Sequence, residues 1–290
     1  MKKIRFGIFG LGRGGYLVDN IFNAGADVVA ICDKRPAAIA TCKKDHPLCK
    51  NAAEYTDFEE FIKHDMDAVL LCNYFCDHAE YAIKCLKAGK HVLSETMSNV
   101  TMAEGVALCR AVEETGMTYA LFENYPYFVS NLEMKRLYQS GELGELVYAE
   151  GEYVHPMDPK SANGIAPGKR HWRNWIPRSY YITHALAPLM SMTDALPTRV
   201  SSMASFHPCV KEGTACQVGD AAAIILCQTD IDAVFRIMGC AWFFPHGNYY
   251  RLGGTKGGVE NDRITGNVRL FYHPQYCPEG KENINDYKAE

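Results

Sequence analysis

The 290-residue sequence lacks several features that would place it in a specialised class of protein. It has no apolar run of about 18 residues, and no apolar segment with a cleavage site follows its first residues. Acidic and basic residues are nearly balanced, since 34 acidic and 30 basic residues give a net charge of −4. Together these absences predict a cytoplasmic protein that binds neither a membrane nor nucleic acid.

The 12 cysteines follow no disulfide or metal-binding pattern. C-x-x-C spacing is absent, and Cys72 and Cys76, four residues apart, have no second pair of ligands nearby. Thiols stay reduced in the cytoplasm. We therefore expect the cysteines to be small buried hydrophobic residues, and we expect no metal site.

The first part of the chain alternates between apolar strands and helices. Strands are predicted at 4–9, 27–33, 67–73, 91–95 and 117–123, with helices that include 36–45, 77–89 and 101–115. Continuous apolar strands separated by helices are typical of a parallel sheet that is covered on both faces. The sequence therefore predicts a doubly wound α/β domain over residues 1–123.

A different pattern begins near residue 124. A helix is predicted at 130–140, and a long loop is predicted at 157–178. The strand-like runs alternate between apolar and polar residues and lie at 146–154, 198–205, 221–228, 233–239, 248–252 and 267–272. Such alternation indicates antiparallel strands, so residues 124–290 form a second predicted domain.

A dinucleotide fingerprint lies after the first strand, where Gly10, Gly12 and Gly15 satisfy G-x-G-x-x-G, with Arg13 and Gly14 between the last two. Its position between a strand and a helix gives the motif its meaning. Gly10 allows the tight turn, Gly12 lets the backbone approach a pyrophosphate, and Gly15 lets the helix pack closely. We predict a cofactor-binding turn that includes all five residues.

Asp33, at the end of the second strand, predicts which cofactor is bound. A carboxylate at this place accepts hydrogen bonds from a ribose diol and repels a 2′-phosphate, which favours NAD over NADP. Lys34 and Arg35 could soften that preference. Further cofactor contacts are predicted at residues that end or follow strands, Asn73, Glu95, Thr96 and Asn124. Another is predicted at His78, which opens the helix after the third strand.

The fingerprint, Asp33, residues 73–78 and residues 88–95 (AGKHVLSE) resemble the Gfo/Idh/MocA oxidoreductases. The resemblance implies a Rossmann domain followed by an α/β domain with an open, mostly antiparallel sheet. It also implies bound NAD and a homo-oligomer, a dimer or tetramer, because the exposed sheet faces commonly pair in this family.

One segment departs from the sugar dehydrogenases of that family, which carry Glu-Lys-Pro where this sequence has Glu95-Thr96-Met97. Segments 123–127 (ENYPY) and 171–173 (HWR) narrow the match, and segments 181–189 (YITHALAPL) and 253–258 (GGTKGG) resemble glycoside hydrolase family 109, whose members also lack the lysine. Within 181–189, Ile182, Ala185 and Ala187 replace a proline and two glycines of the family pattern. Family members usually continue beyond the length of this chain, so we expect either a compact relative or a missing segment.

This resemblance implies hydrolysis of a glycoside through transient oxidation at sugar carbon 3, elimination, water addition and re-reduction. His184 is the first candidate for acid–base work, because an imidazole exchanges protons near neutral pH. Tyr127 is the candidate for the proton at carbon 2, with activation by a cation such as Arg173. Tyr181 could assist catalysis and bind sugar hydroxyls, while Trp172 and Arg173 could stack on and clamp the ring.

Two other functions fit the same residues. A net sugar or cyclitol dehydrogenase would accumulate NADH, whereas the glycosidase would not. A non-catalytic NAD- or sugar-binding protein would bind ligands without turnover.

Overall fold

The computed structural model describes residues 3–207, 211–241 and 245–290. The chain divides into two compact units, Met1–Phe122 and Glu123–Glu290, and each is described by itself.

The first unit contains a six-stranded parallel sheet. Its strands are β1 (Arg5–Phe9), β2 (Asp27–Cys32), β3 (Ala53–Tyr55), β4 (Ala68–Leu71), β5 (His91–Ser94) and β6 (Tyr119–Leu121). The strand order β3-β2-β1-β4-β5-β6 is that of the dinucleotide-binding Rossmann fold.

Helices connect these strands. They are α1 (Leu11–Gly14), α2 (Val18–Asn23), α3 (Pro36–Asp45), α4 (Phe58–Phe61), α5 (His78–Lys87) and α6 (Met102–Thr115). A 3-10 turn, Gly15–Leu17, joins α1 to α2. Helix α6 begins with a capping box, in which Thr101 and Glu104 bond each other's backbone N–H groups.

The sheet is buried on both faces, as strand β4 shows. Ala68 and Leu70 pack into one apolar cluster, and Val69 and Leu71 pack into the other. Successive side chains of a strand point to opposite faces, so an entirely apolar strand needs cover on both sides. The predicted doubly wound parallel sheet is confirmed.

The second unit contains an eight-stranded sheet among the described residues. In spatial order its strands are β14 (Ile284–Tyr287), β13 (Val268–Tyr272), β12 (Gly257–Asn261), β11 (Gly247–Gly254), β7 (Leu146–Val154), β10 (Val234–Cys240), β9 (Asp220–Thr229) and β8 (Pro197–Phe206). Strands β7 and β10 pair in parallel, and the other pairs are antiparallel. The predicted mostly antiparallel sheet is confirmed.

Helices α7 (Val129–Gln139) and α9 (Thr183–Thr193) share an apolar core with one face of this sheet. The approach of α9 to β7 depends on Gly151, where an added Cβ would lie 2.0 Å from the carbonyl oxygen of Ala185. Only a glycine lets the helix backbone lie this close to the strand.

Several elements differ from the sequence predictions. The predicted loop 157–178 contains helix α8 (Pro159–Ile165), which Asp158 caps through bonds from two backbone N–H groups. Strands β3, β12 and β14 are additional. They are short, and β12 and β14 are rich in glycine or polar residues, so apolar alternation does not mark them.

No helix in the described ranges is long and apolar enough to cross a membrane.

Candidate active site

The glycine turn after β1 has the form that the fingerprint predicts. Gly10 has a φ of 92°, and an added Cβ would lie 2.5 Å from the backbone nitrogen of Asn73. Above Gly12, the nearest atom to an added Cβ is the exposed guanidinium of Arg35 at 3.6 Å. The backbone at Gly12 is therefore open to the approach of a phosphate group.

The close packing predicted for Gly15 is made by Gly14 instead. An added Cβ at Gly14 would lie 2.5 Å from Ile8, whereas none of the described atoms lies within 4 Å of an added Cβ at Gly15. Gly15 begins a 3-10 turn instead of continuing α1. The prediction for Gly15 as the packing residue is wrong.

Asp33 lies buried beside the glycine turn and accepts four hydrogen bonds. The donors are the backbone N–H groups of Leu11 and Arg35, both at 2.9 Å, and Nε and Nη2 of Arg35, at 3.0 and 3.1 Å. Burial opposes ionisation, but the bonds from Arg35 and Leu11 outweigh it and lower the pKa of Asp33. The carboxylate is thus held as an anion at the place predicted for the cofactor ribose.

Glu95 and Asn73 lie beyond the carboxyl ends of β5 and β4. Oε1 of Glu95 accepts from Nε of Arg13 at 2.7 Å, which joins the loop after β5 to the glycine turn. The side-chain oxygen of Asn73 is buried and has no hydrogen-bond partner in the described part of the chain. A buried acceptor without a donor is costly, so this oxygen fits a donor supplied by a ligand.

His78 is 1% exposed, and both ring nitrogens contact protein groups. Nδ1 lies 2.8 Å from the carbonyl oxygen of Met97, and Nε2 lies 3.1 Å from that of Asn73. Burial lowers the pKa of His78, although the backbone carbonyls act against it. His78 therefore ties together the loops after β4 and β5, and its direct contact with a cofactor stays a prediction.

These residues of the first unit fit NAD. The open backbone at Gly12 suits a pyrophosphate, Asp33 suits a ribose diol, and Asn73 offers an acceptor without a partner. Thr96, 8% exposed, lies beside Glu95 and donates its N–H to that carboxylate. Asn124 lies in the second unit, so its predicted contact with the cofactor stays a prediction.

The second unit brings His184 against a buried carboxylate. His184 lies in the first turn of helix α9, which begins at Thr183, and its Nδ1 lies 2.6 Å from Oε1 of Glu123. Both side chains are at least nine-tenths buried. Since the carboxylate accepts the Nδ1 proton, Nε2 is left as the basic nitrogen.

Three tyrosines surround this pair. Tyr125 stacks on the imidazole with ring centroids 4.2 Å apart, while Tyr153 and Tyr181 meet it edge-on at 4.7 and 5.2 Å. Burial raises the pKa values of Tyr125 and Tyr153, so both phenols stay protonated at neutral pH and can donate hydrogen bonds. A small pocket beside Tyr153 and Tyr181 is further lined by His155 and residues 239–241.

Arg173 adds a cation to this group. Its guanidinium lies 4.3 Å from the ring centroid of Trp172 and 5.2 Å from that of Tyr181. Trp172 is only 9% exposed, so its ring supports Arg173. Burial and then the charge of Arg173 lower the pKa of His171, whose Nδ1 accepts the N–H of Arg173.

Tyr127 is 73% exposed, and its ring is not among the aromatic contacts of His184 in the described residues. The cation predicted to activate it lies beside Tyr181 instead. The role of Tyr127 stays a prediction.

The sequence reasoning missed Glu123, Tyr125 and Tyr153. Glu123 is the last residue of the strand predicted at 117–123, where a buried acid needs a partner, and this signal was available in the sequence. No local pattern places Tyr153 beside His184, because the contact joins β7 to α9 across 31 residues. None of the described His, Cys, Asp and Glu side chains form a group of three that could hold a metal ion.

Comparison with known proteins confirms that the first unit is an NAD-binding Rossmann domain. Residues 4–123 match the Gfo/Idh/MocA model, which describes an oxidoreductase family with an NAD-binding Rossmann fold. NAD is therefore the cofactor of this class of domain, as predicted.

Curated relatives with similar sequences are named as glycosyl hydrolase family 109 proteins. The chain is 29% identical over 210 residues to glycosyl hydrolase family 109 protein 1 of Bacteroides fragilis, a match that covers 67% of this chain and 44% of the relative. It is 30% identical over 207 residues to the family 109 protein of Solibacter usitatus, covering 66% and 47%. The predicted resemblance to this family is confirmed, and the chain spans about half the length of these relatives.

Solved structures share the fold over the whole chain. An oxidoreductase from Agrobacterium radiobacter, in complex with NAD⁺, L-tartaric acid and magnesium, has a TM-score of 0.81 at 14% identity and covers 100% of this chain and 80% of its own. The WlbA dehydrogenase from Bordetella pertussis, in complex with NADH and UDP-GlcNAcA, has a TM-score of 0.73 at 18% identity and covers 99% and 82%.

Proposed function

We propose that this chain is an NAD-dependent glycoside hydrolase that leaves its cofactor unchanged over the cycle. The observation that carries the proposal is the Glu123–His184 pair, which lies within hydrogen-bond distance inside a group of three tyrosines. The similarity to the family 109 relatives supports a glycosidase activity.

The absence of a lysine after Glu95 also supports it. Met97, which stands two residues after Glu95, is 5% exposed, and a thioether neither takes nor gives a proton. Proton transfer at the sugar hydroxyl therefore falls to a residue outside this loop. His184 is the base that the second unit offers.

In this proposal, Nε2 of His184 takes the proton of the hydroxyl at sugar carbon 3, while Glu123 stabilises the imidazolium that forms. Bound NAD would supply the oxidant for carbon 3, taking up its hydride and giving it back at the end of the cycle. The ketone makes the hydrogen at carbon 2 acidic, so a base removes it and the bond from carbon 1 to the leaving oxygen breaks. The leaving oxygen takes a proton, water adds to the double bond, and His184 gives its proton back to the oxygen at carbon 3.

Tyr127 is kept as the proposed base at carbon 2 from the family resemblance, and its exposed side chain can be reached by a substrate. Tyr125 and Tyr153 stay protonated and would donate hydrogen bonds to sugar oxygens. Tyr127→Phe should abolish aglycone release, whereas Tyr125→Phe should mainly raise KM. The opposite result would give the proton transfer to Tyr125.

Arg173 is the proposed clamp on the sugar hydroxyls, with Trp172 as its support and Tyr181 as its neighbour. A guanidinium presents several donors in a fixed plane, which suits two adjacent oxygens. The proposed substrate is therefore a small carbohydrate.

The competing function is a net sugar dehydrogenase, which the fold of the Bordetella pertussis enzyme favours. Aryl glycosides and free sugars incubated with NAD separate the two by stoichiometry. The glycosidase releases aglycone with no accumulation of NADH, whereas the dehydrogenase accumulates one NADH per sugar consumed. Binding of NAD or of a sugar, with neither aglycone nor NADH formed, would indicate a non-catalytic binding protein.

A homo-oligomer is also proposed. Met203, Ile224 and Leu226 are 81%, 42% and 48% exposed on strands β8 and β9, a patch that a second copy would cover. Light scattering should show a dimer or tetramer that Met203→Glu weakens. A monomer at all concentrations would contradict it.

A further inference from the structure

A short turn carries the proposed clamp on the sugar. Trp172 and Arg173 lie in a 3-10 turn that ends at Asn174. Within it, the N–H of Asn174 donates to the carbonyl oxygen of His171 at 2.9 Å, and Nδ1 of His171 accepts the N–H of Arg173. A single turn of this kind has too few hydrogen bonds to be stable in water by itself. The position of Arg173 therefore depends on what holds the turn in place.

Asn174 joins this turn to two other segments of the second unit. The residue is 5% exposed, and its side-chain Nδ2 donates to the carbonyl oxygens of Ala166 and Gly168, both at 2.9 Å. These carbonyls lie just after helix α8. The backbone carbonyl oxygen of Asn174 accepts the N–H of Gln217, in the loop 211–219. Removing such an amide is costly, because the carbonyl oxygens that it served lose their donor.

Helix α8 and the loop 211–219 are also bonded to each other. Asn163 is exposed on α8, and its Nδ2 donates to the carbonyl oxygen of Gly213 at 2.9 Å. Its Oδ1 accepts the N–H of Ala215 at 3.1 Å. The helix and the loop therefore form one support, and Asn174 connects that support to the turn.

We propose that Asn174 is a positioning residue, which fixes Arg173 beside Trp172 and Tyr181 for binding of the sugar. The inference rests on the proposed function, in which Arg173 is the clamp. Both amide hydrogens of Asn174 are already bonded to protein carbonyls, so it acts through Arg173 and not by contact with the substrate. A shift of the turn moves the guanidinium away from the two rings and from the sugar hydroxyls, and displacements of about 1 Å are enough to weaken such an arrangement.

Steady-state kinetics on an aryl glycoside measures the coupling between the two residues. Arg173→Ala should raise KM about tenfold, the scale of a lost charge-assisted hydrogen bond, with kcat nearly unchanged. Asn174→Ala should have a similar effect, and the double variant should be no worse than Arg173→Ala alone. Multiplied effects in the double variant would overturn the proposal, because Asn174 would then act independently of Arg173.

Asn163→Ala is the matched control, because it removes an asparagine side chain that makes two hydrogen bonds in the same support. It should leave KM nearly unchanged. Asn174→Ser keeps one donor, so it should lie between wild type and Asn174→Ala, and it takes the place of the alanine variant if that one does not fold. Equal effects of Asn163→Ala and Asn174→Ala would also overturn the proposal, because general loosening of the support would then explain both.

A measurement without ligand separates failure of this inference from failure of the proposed function. In protein labelled with 5-fluorotryptophan, the fluorine NMR signal of Trp172, assigned with Trp172→Phe, reports the guanidinium that lies 4.3 Å from its ring centroid. Arg173→Ala and Asn174→Ala should shift this signal in the same direction, and Asn163→Ala should leave it in place. An unshifted signal in Asn174→Ala would overturn the positioning role. The expected shifts in a protein that hydrolyses no glycoside would refute the proposed function and support the positioning of Arg173 by Asn174.

Discussion

The hydroxyl of Tyr250 donates a hydrogen bond to the carbonyl oxygen of His184 at 2.5 Å. In an α-helix this carbonyl would accept the N–H of residue 188, but that residue is Pro188, which has no N–H. Tyr250 is fully buried and supplies the missing donor from β11. The proline leaves a gap in the helix bonding, and the tyrosine uses that gap to fix the backbone of the proposed base.

Tyr250→Phe should lower the free energy of unfolding by about 1–3 kcal/mol, because it leaves a buried carbonyl without a donor. The same change in a Pro188→Ala background should cost less, since residue 188 then has an N–H for His184. A double-mutant cycle by urea unfolding measures this coupling.

The matched control is Tyr272→Phe, which removes a hydroxyl that donates to Glu142 from another strand of the same sheet. Its cost should be the same with proline or alanine at 188. Strict additivity of the Tyr250 and Pro188 changes would contradict the account.

Gly151→Ala should displace helix α9 and with it His184. The added Cβ would lie 2.0 Å from the carbonyl oxygen of Ala185, so strand and helix must separate. The expected loss is roughly 1–3 kcal/mol of stability, with lower glycosidase turnover. Gly164→Ala, on α8 where the added Cβ meets no described atom within 4 Å, is the control for thermal unfolding and kinetics. Similar effects from both variants would refute the close-packing argument.

Glu123→Gln should lower kcat roughly 10- to 1,000-fold with little change in KM, because the imidazolium loses its counter-charge while the packing is kept. Steady-state kinetics across pH should also show a changed profile for the acid–base group. Glu145→Gln, on an exposed loop, removes one carboxylate as a control. An unchanged kcat for Glu123→Gln would mean that this pair is structural only.

Asp33→Asn should make stability without cofactor less dependent on acid pH. The folded-state pKa of Asp33 is lowered, so its contribution is complete above the unfolded value near 3.9 and is lost as pH falls through the folded value. The stability difference from wild type, measured by urea unfolding, should thus be largest near pH 7 and shrink below about pH 4. A difference that grows on acidification would contradict this sign. The exposed Asp45→Asn controls for the loss of a carboxylate as such.

Local patterns predict the fold where one signal dominates. Helix α3, opened by Pro36, and strand β7 have the bounds that the sequence predicts. The exchange of roles between Gly14 and Gly15 could not be predicted, because it depends on how closely each residue approaches Ile8 of β1. The periodicity of the sequence does not contain those distances.

In the candidate site, too, the sequence predicts the residues that belong to a local motif and does not predict their distant partners. His184 as the acid–base candidate follows from its motif, but its partners come from β7 and the segment after β6. Contacts between distant segments depend on strand order and register, which one sequence does not reveal. The fork between Asp33 and Arg35 is local, yet only the coordinates show that the N–H of Leu11 completes the four hydrogen bonds of the carboxylate.

The central claim is elimination from a transiently oxidised sugar, and incorporation of deuterium tests it most directly. An aryl glycoside is hydrolysed by the NAD-loaded protein in deuterated water, and the released sugar is examined by NMR. The account predicts deuterium at carbon 2 with no net NADH, and loss of both release and exchange in His184→Ala. Release of the aglycone with carbon 2 still carrying its original hydrogen would contradict the account.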